Sequence, residues 1–577
     1  MKRIVFVMLS SVAVLVASAQ SVADGIKAIY YTKYKTANDI LGKLVASNPA
    51  DVDANYWYGQ VAIDQSDLPT ARAIYSKAMT ATNQNPLIVV GMGHVELLEG
   101  KATDAKAHFD AALAATNNKK GGDVKILTAV GRAEADGDSK TGDPNFGIEK
   151  LTTAAKLDLK DPEIYLLTGI SQLKRGGEYG GEAKRAYEEA LTRDPKYAAA
   201  KYRIAKIFQS QNNKELFLPL LEEATQLDPN YGPAWLSLYD YYAERDVNKA
   251  KEYIEKYIAV ADKDCETDFF YADYLLRAGQ RDQALAKGKE METNCGGDKF
   301  PKVYKLFALI YDRTGDSIQA RDYFGKYISK EVPVKISATD YANYASILAK
   351  FPGNDAAVEE NMYKAFALDT TSSKKVDLAN IIANTYQKAG NLAGQAKWFT
   401  VASTFKPSLT ATDYYYWGDA VTKYMATQKD SVLRAAAYKT ADSIYVAYAT
   451  KYPDQPQPYA FRATAGKAYD FDTTRGSAVA AYDSYTSFLM KDTVKNKATI
   501  IRNYYYTIPY FAKIKEYQKA LDAVNAILSL DPANAYALSV KPILEKQLQP
   551  RTGGTTPTRT PAPKTGGNGG KSPDVQR

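Results

Sequence analysis

The stretch that most constrains this chain is residues 303–333, VYKLFALIYDRTGDSIQARDYFGKYISKEVP, because it encodes two short amphipathic helices joined by a tight turn. In its first half the apolar side chains fall at i, i+3, i+4 and i+7, on one face of a helix: Tyr304, Phe307, Ala308 and Tyr311. Gly315 breaks this pattern, and the helical spacing then resumes at Ala320, Phe324 and Tyr327. One such pair cannot bury its own apolar faces, so the chain must supply neighbouring copies.

Related helix pairs occur on both sides of this stretch. Gly59 and Ala71 keep the same separation as Gly93 and Ala105, and a proline recurs after one full pair at residues 195 and 229. Taken together, the copies predict about fourteen helix pairs over residues 22–548, with a last helix that caps the final pair. The expected fold is therefore all-α, an α-solenoid in which each pair packs on the pairs before and after it.

The pattern of residues 303–333 resembles the tetratricopeptide repeat (TPR), which has aromatic residues around a Gly or Ala in its first helix and Ala, Phe, Ala and Pro in its second. The resemblance covers nearly all of residues 22–548. It implies a right-handed superhelix, in which first helices line a concave groove and second helices form the outer surface. It also implies a non-enzymatic scaffold that binds partner proteins or extended peptides in that groove.

The two ends of the chain have compositions unlike the repeats. Residues 1–19 combine Lys2 and Arg3, a short apolar run and a small-residue cleavage site, which predicts a secretory signal peptide. Residues 549–577 are rich in Gly, Thr and Pro, and we expect a disordered tail. The array between them, residues 20–548, has irregular joints near 135–145, 354, 426–436 and 470–476, which are candidate breaks between sub-blocks.

The composition argues against several kinds of chemistry. The formal net charge is +8, but Lys2, Arg3 and the tail carry most of this excess, so we expect no nucleic-acid partner. His94 and His108 are the only histidines, and neither has a carboxylate or thiol at ligand spacing, so we expect no metal site. The chain has no phosphate-binding or dinucleotide-binding glycine motif. We therefore predict no cofactor, no catalytic residues and no enzyme activity.

Cys265 and Cys295 are the only cysteines. They come just before the first helix and just after the second helix of one predicted pair, positions that meet when the two helices pack antiparallel. Export into an oxidising compartment would allow these thiols to form a disulfide, which we predict. Two free, buried thiols are the alternative.

Function is expected on the concave face of the first helices. Asn380, Asn384 and Lys388 form a polar ladder along one helix, and the triplets at 414–416 and 504–506 hold more tyrosines than one buried stripe can use. Exposed tyrosines favour recognition because each gives a large contact at low entropic cost. The candidate partner-binding residues are Tyr202, Lys206, Lys305, Asn380, Asn384, Lys388, Tyr415, Asp419 and Tyr505.

These features predict an exported scaffold with a role in envelope assembly or secretion. The expected location is the periplasm, and release from the cell is the alternative. Apart from the signal peptide, no stretch is long and apolar enough to cross a membrane. A glycan-binding protein of the cell envelope, with groove tyrosines stacked on sugar rings, is the competing hypothesis. The partner itself is a protein or peptide whose identity the sequence does not give.

Overall fold

The computed structural model describes residues 20–369, 371–470 and 475–549. The predicted signal peptide and the predicted tail from residue 550 onward lie outside the described residues. In the described part there are 29 α-helices and no strand, so the helices form fourteen consecutive pairs and α29 follows the last pair. The all-α solenoid prediction is confirmed.

The chain divides into two compact units, residues 1–340 and 341–577. The helices of the first unit run in consecutive antiparallel pairs: α1 Val22–Tyr30, α2 Tyr34–Ser47, α3 Val52–Asp64, α4 Leu68–Ala81, α5 Pro86–Leu98, α6 Ala102–Ala115, α7 Val124–Ala135, α8 Pro144–Leu157, α9 Pro162–Arg175, α10 Gly180–Arg193, α11 Ala198–Ser210, α12 Lys214–Leu227, α13 Gly232–Tyr242, α14 Val247–Val260, α15 Cys265–Arg277, α16 Arg281–Cys295, α17 Lys302–Thr314 and α18 Ser317–Lys330.

Helix α19, Ala338–Leu348, begins at the boundary between the units. The second unit continues with α20 Asp355–Leu368, α21 Ser372–Lys388, α22 Leu392–Thr404, α23 Ala411–Thr427, α24 Ser431–Lys451, α25 Gln457–Tyr469, α26 Val479–Leu489, α27 Thr493–Lys513, α28 Tyr517–Leu530 and α29 Ala535–Leu548. The described residues also contain three short 3-10 turns: Gly177–Tyr179, Pro333–Lys335 and Met490–Asp492.

In several pairs, a small residue in the first helix lies against a large residue in the second helix. A Cβ on Gly59 would come 2.2 Å from the Tyr75 ring, and one on Gly169 would come 2.3 Å from Tyr187. Both tyrosines are fully buried. The same sixteen-residue spacing from Gly59 to Tyr75 separates Ala308 from Phe324, and both of these side chains are also fully buried. This small-to-large contact is what lets the helices of a pair approach closely.

The polar joint after α7 is packed rather than open. Ser139 is buried, and the Thr141 hydroxyl donates a hydrogen bond of 3.0 Å to the carbonyl of Leu97. The Lys174 ammonium donates to the carbonyl oxygens of Glu134 and Asp136, at 2.8 and 2.6 Å. These contacts hold the joint against α5 and α9 within the first unit.

In the first unit, the first helix pair contacts helix pairs that come much later in the chain. We call this set of contacts the closure. The ring of Tyr30, at the end of α1, stacks on Tyr197 with centroids 5.5 Å apart. The Tyr31 hydroxyl donates to Asp228 at 2.9 Å, and the backbone N–H of Thr36 donates to Asp262 at 3.0 Å. The first helix pair therefore contacts residues that follow it by 160 to 230 positions, in the pairs one superhelical turn further along the chain.

The Cys265 and Cys295 Sγ atoms lie 2.18 Å apart, with a Cα–Cα distance of 6.1 Å. Cys265 is the first residue of α15 and Cys295 is the last residue of α16. The structure thus joins the open end of this helix pair with a disulfide. Across the described ranges, no helix combines the length and apolar character that a membrane span requires.

Candidate functional site

A cavity of about 450 Å³ opens in the second unit between α21, α22 and α23. Its volume lies within the range of small-molecule and peptide side-chain pockets. Three kinds of groups line it: carboxamides from α21, aromatic rings from α22 and α23, and one charged pair near the loop between those two helices. We call this cavity the unit 2 cavity.

The carboxamides are Asn380, Asn384 and Gln387. They occupy positions i, i+4 and i+7 of α21, which place them on one face of the helix because 3.6 residues make a turn. Among the described residues, none of the three side chains has a hydrogen-bond partner. Each amide therefore offers a free donor and a free acceptor to whatever occupies the cavity.

The predicted third member of this ladder, Lys388, does not line the cavity, and Gln387 lies there instead. Residue i+8 is rotated about 80° from residue i on a helix, whereas residue i+7 returns to within about 20°. The side chain of Lys388 is solvent-exposed at the end of α21.

An aromatic wall faces the carboxamides. The rings of Phe399 and Tyr416 stack with centroids 6.4 Å apart and an interplanar angle of 14°. The Tyr416 side chain remains 53% exposed and is therefore accessible to a ligand. The indole N–H of Trp417 donates to the Thr400 hydroxyl at 2.9 Å, which fixes the orientation of the indole in the wall.

The charged pair is Lys406 and Asp413, whose Nζ and Oδ1 atoms are 2.5 Å apart. Asp413 also accepts a hydrogen bond of 2.8 Å from the backbone N–H of Thr410, as part of the capping box that begins α23. Burial alone would raise the pKa of Asp413, but the hydrogen bonds from Lys406 and Thr410 outweigh it and hold that pKa below its usual value. The carboxylate is thus fixed in its charged form beside the carboxamides.

The other predicted groove residues of the second unit lie outside this cavity. Tyr415 is 38% exposed and packs against Phe461, with ring centroids 5.2 Å apart. Asp419 forms an ion pair of 2.7 Å with Lys423. Tyr505 is also 38% exposed, and its hydroxyl accepts a hydrogen bond of 2.8 Å from the Asn534 amide.

The predicted groove residues of the first unit already have contacts within the chain. Tyr202 packs edge-on against Tyr231, at 5.7 Å, beside the closure made by Tyr30. The Lys206 side chain is exposed, with its ammonium 5.9 Å from the centre of the Tyr202 ring. The Lys305 ammonium lies 2.6 Å from a carboxylate oxygen of Asp340.

The two histidines pair with carboxylates that the sequence spacing did not reveal. His94 Nε2 lies 2.9 Å from Asp136, and His108 Nδ1 lies 2.6 Å from Glu96. Asp136 belongs to the polar joint after α7, so its contact with α5 depends on how that joint packs. Within the described residues, no group of three His, Cys, Asp or Glu side chains is placed to hold a metal ion.

The helix pairs, their small-to-large contacts and their order agree with one family. Residues 28–293 match the family model described as Tetratricopeptide repeat. Residues 28–293 are therefore a tetratricopeptide repeat (TPR) array. TPR arrays offer extended surfaces for protein or peptide binding, which is the general function that this fold supports.

Several solved structures are similar to this chain. The C-terminal part of a TPR repeat-containing protein from Cytophaga hutchinsonii is 25% identical; the match covers 47% of this chain and 98% of that one, with a TM-score of 0.28. Yeast Tom70 is 14% identical over 72% of this chain and 97% of its own, with a TM-score of 0.38. YrrB, described as a TPR protein with an unusual peptide-binding site, is 21% identical over 35% of this chain and 98% of its own, with a TM-score of 0.22. No curated protein matches the sequence.

Proposed function

We propose that the chain is a non-enzymatic scaffold that binds an extended segment of a partner protein in the unit 2 cavity. The observation that carries this proposal is the set of three carboxamides at Asn380, Asn384 and Gln387, which have no hydrogen-bond partner among the described residues and face an aromatic wall. A peptide backbone presents alternating N–H and C=O groups, and a primary amide can pair with both.

The spacing of the carboxamides suits an extended chain. Residues i and i+4 are separated by about 6 Å along a helix axis. Alternate residues of an extended strand are separated by about 6.6 Å. Asn380 and Asn384 can therefore contact peptide groups two residues apart, while Phe399 and Tyr416 pack against a side chain between them.

The charged pair adds a directional preference to this site. Lys406 and Asp413 fix one positive and one negative group at the loop side of the cavity. A polar or charged peptide side chain can exchange hydrogen bonds with this pair, whereas an apolar side chain there would leave the charges without compensating solvent. We expect bound segments to carry a polar residue on that side and an aromatic or aliphatic residue against the rings.

Selection from a displayed library of random twelve-residue peptides tests this proposal. The purified chain should enrich a consensus with an apolar residue and a neighbouring polar residue. An Asn380→Ala/Asn384→Ala variant should lose that enrichment, and the matched variant Asn525→Ala, at an exposed position of α28, should retain it. Equal enrichment by all three proteins would remove the support for a peptide site in this cavity.

A glycan is the second candidate ligand, and the open ring of Tyr416 favours it. Aromatic faces stack on sugar rings, and carboxamides pair with sugar hydroxyls. Titration with soluble envelope polysaccharides would separate the two proposals. Saturable binding to a polysaccharide that Tyr416→Ala abolishes, with no peptide enrichment, would establish the glycan function instead.

We also propose that the chain is exported to the periplasm and acts there in envelope assembly or secretion. Disulfides persist mainly in oxidising compartments, and the Cys265–Cys295 pair is at bonding distance. Fractionation of cells that express the full chain tests the location. Recovery of a processed chain in the periplasmic fraction is the expected result, and an unprocessed chain retained in the cytoplasm would contradict it.

A further inference from the structure

A second cavity, of about 410 Å³, lies in the first unit between α1, α3, α7 and the start of α9. Its apolar walls include Val22 and Ile26 of α1 and Val124 of α7. Helix α1 also carries Tyr30, whose ring stacks on Tyr197. We call this space the unit 1 cavity.

The polar lining of the unit 1 cavity carries an excess of negative charge. Two of its carboxylates are already neutralised, because Asp53 pairs with Lys125 at 2.9 Å and Glu163 pairs with Arg132 at 2.8 Å. In the part of the chain that the structure describes, no further lysine or arginine lines the cavity. Two carboxylates, Asp158 and Asp161, are left without an ion pair among the described residues.

Asp158 and Asp161 each accept a backbone hydrogen bond through only one of their two carboxylate oxygens. Asp158 Oδ1 accepts the N–H of Lys160 and Asp161 Oδ1 accepts the N–H of Glu163, both at 2.9 Å. Burial raises the pKa of Asp161, the hydrogen bond from the Glu163 backbone lowers it, and the negative charges of Glu163 and Asp158 raise it against the positive charge of Arg132. The cavity lining thus carries four carboxylates against two cations, and both cations are already paired with Asp53 and Glu163.

A buried hydroxyl also points to a missing ligand. Thr128 is 6% exposed and lines the cavity, and its Oγ1 atom has no hydrogen-bond partner in the described part of the chain. Helical threonines elsewhere in this unit, such as Thr152 and Thr168, donate to the carbonyl four residues before them. An unpaired buried hydroxyl costs free energy, and a donor placed in the cavity would remove that cost.

We propose that the unit 1 cavity binds an alkylammonium group, with the ammonium at Asp158, Asp161 and Thr128 and the alkyl stem along Val22, Ile26 and Val124. The ammonium supplies three donors and one positive charge, which suit two carboxylates and a hydroxyl acceptor. The apolar walls suit a stem of several methylene groups rather than a bare ion. The described residues also offer no cluster that would coordinate a metal ion.

Such a group can come from a lysine side chain of a partner protein or from a free diamine. The site lies in the first unit, so this proposal does not depend on peptide binding in the unit 2 cavity. The two sources share one chemistry, so the test uses one probe for each: 1,5-diaminopentane for the free diamine and N-acetyl-lysine methylamide for the side chain.

Isothermal titration of the purified full chain with both probes, at low and at physiological salt, tests the proposal. We expect saturable binding of at least one probe, with no binding of the neutral analogue 1-pentanol. The Asp158→Asn/Asp161→Asn variant should bind at least tenfold more weakly. Asparagine keeps the hydrogen bonds that these side chains make to the backbone, so the fold is preserved while both charges are removed.

Two further variants make the outcome decisive. Thr128→Val should weaken binding severalfold, and Asp104→Asn, at an exposed position of α6, should leave it unchanged. Binding of only one probe assigns the source. Absence of binding by both probes, equal binding of 1-pentanol, or an unchanged affinity in the double variant would each overturn the proposal.

Discussion

Tyr30 and Tyr197 stack face to face across the first unit, with ring centroids 5.5 Å apart and an interplanar angle of 24°. The Tyr30 hydroxyl also accepts a hydrogen bond of 3.3 Å from the backbone N–H of Ala199. Repeat arrays are held mainly by contacts between neighbouring repeats. This contact instead joins the first helix pair to residues more than 160 positions further along the chain.

Loss of the closure should free the first helix pair. In a Tyr30→Ala/Thr36→Val variant the aromatic stack and the Thr36 hydroxyl contact with Asp262 are removed. An aromatic pair contributes about 1 kcal/mol and a hydrogen bond about 1 kcal/mol. Hydrogen exchange of the amides in α1 and α2 should therefore accelerate by about 30-fold. Exposed Tyr363→Ala in the second unit is the matched control, and equal exchange in all three proteins would show that the closure contributes nothing.

Close packing at Gly59 should be sensitive to a single methyl group. A Cβ there meets the buried Tyr75 ring at 2.2 Å, so Gly59→Ala should destabilise the first unit by about 1–3 kcal/mol. Gly181 lies in the first turn of α10 with nothing within 4 Å of its Cβ position. Gly181→Ala should be neutral or slightly stabilising. Thermal unfolding of both variants measures the contrast, and similar losses would contradict the packing account.

The Cys265–Cys295 disulfide should stabilise the α15–α16 pair. It closes a loop of 30 residues, for which the chain-entropy estimate is on the order of 3 kcal/mol. A Cys265→Ser/Cys295→Ser variant should unfold at a lower temperature, and reductant should lower the unfolding temperature of the wild-type chain alone. Two titratable thiols in the denatured, unreduced protein would show that the bond is absent.

Glu134 should make the stability of the first unit depend on pH. Burial raises the pKa of this side chain to about 7 from about 4.5, although the hydrogen bond from the Asp143 backbone acts in the opposite direction. Between these values the folded state binds more protons than the unfolded state, so the free energy of unfolding falls as pH rises from about 4.5 to 7. The upper limit of this loss is about 3 kcal/mol.

A neutral isostere tests this titration. Glu134→Gln keeps an acceptor for the Asp143 N–H but carries no charge, so its unfolding temperature should vary less between pH 5 and 8 and exceed that of the wild type at pH 8. Exposed Glu252→Gln is the matched control. Parallel profiles for Glu134→Gln and the wild type would mean that Glu134 is not the titrating group.

The sequence predicts the contacts that recur once per helix pair. The sequence separation of Gly59 and Tyr75 is the same as that of Ala308 and Phe324, so one well-preserved pair predicts the packing of the other pairs that keep this spacing. The number of pairs and the helix that caps the last one follow from the same register.

The repeat register does not predict contacts that are specific to one part of the array. Nothing in the repeat pattern links Tyr30 to Tyr197, because their contact depends on the curvature summed over several pairs. The partner of His94 lies in a joint that has no counterpart in other pairs. In the candidate site, Asn380 and Asn384 were predicted, but their neighbour proved to be Gln387 because the helical period favours i+7 over i+8.

The most direct test of the account is the affinity of a selected peptide for the unit 2 cavity, measured by fluorescence anisotropy. We expect the Asn380→Ala/Asn384→Ala variant to bind at least tenfold more weakly than the wild type, since about two backbone hydrogen bonds are lost. Asn525→Ala should bind as the wild type does, and helicity should be equal in all three. Unchanged affinity in the double variant would contradict the central claim that the carboxamides of α21 hold the backbone of a partner.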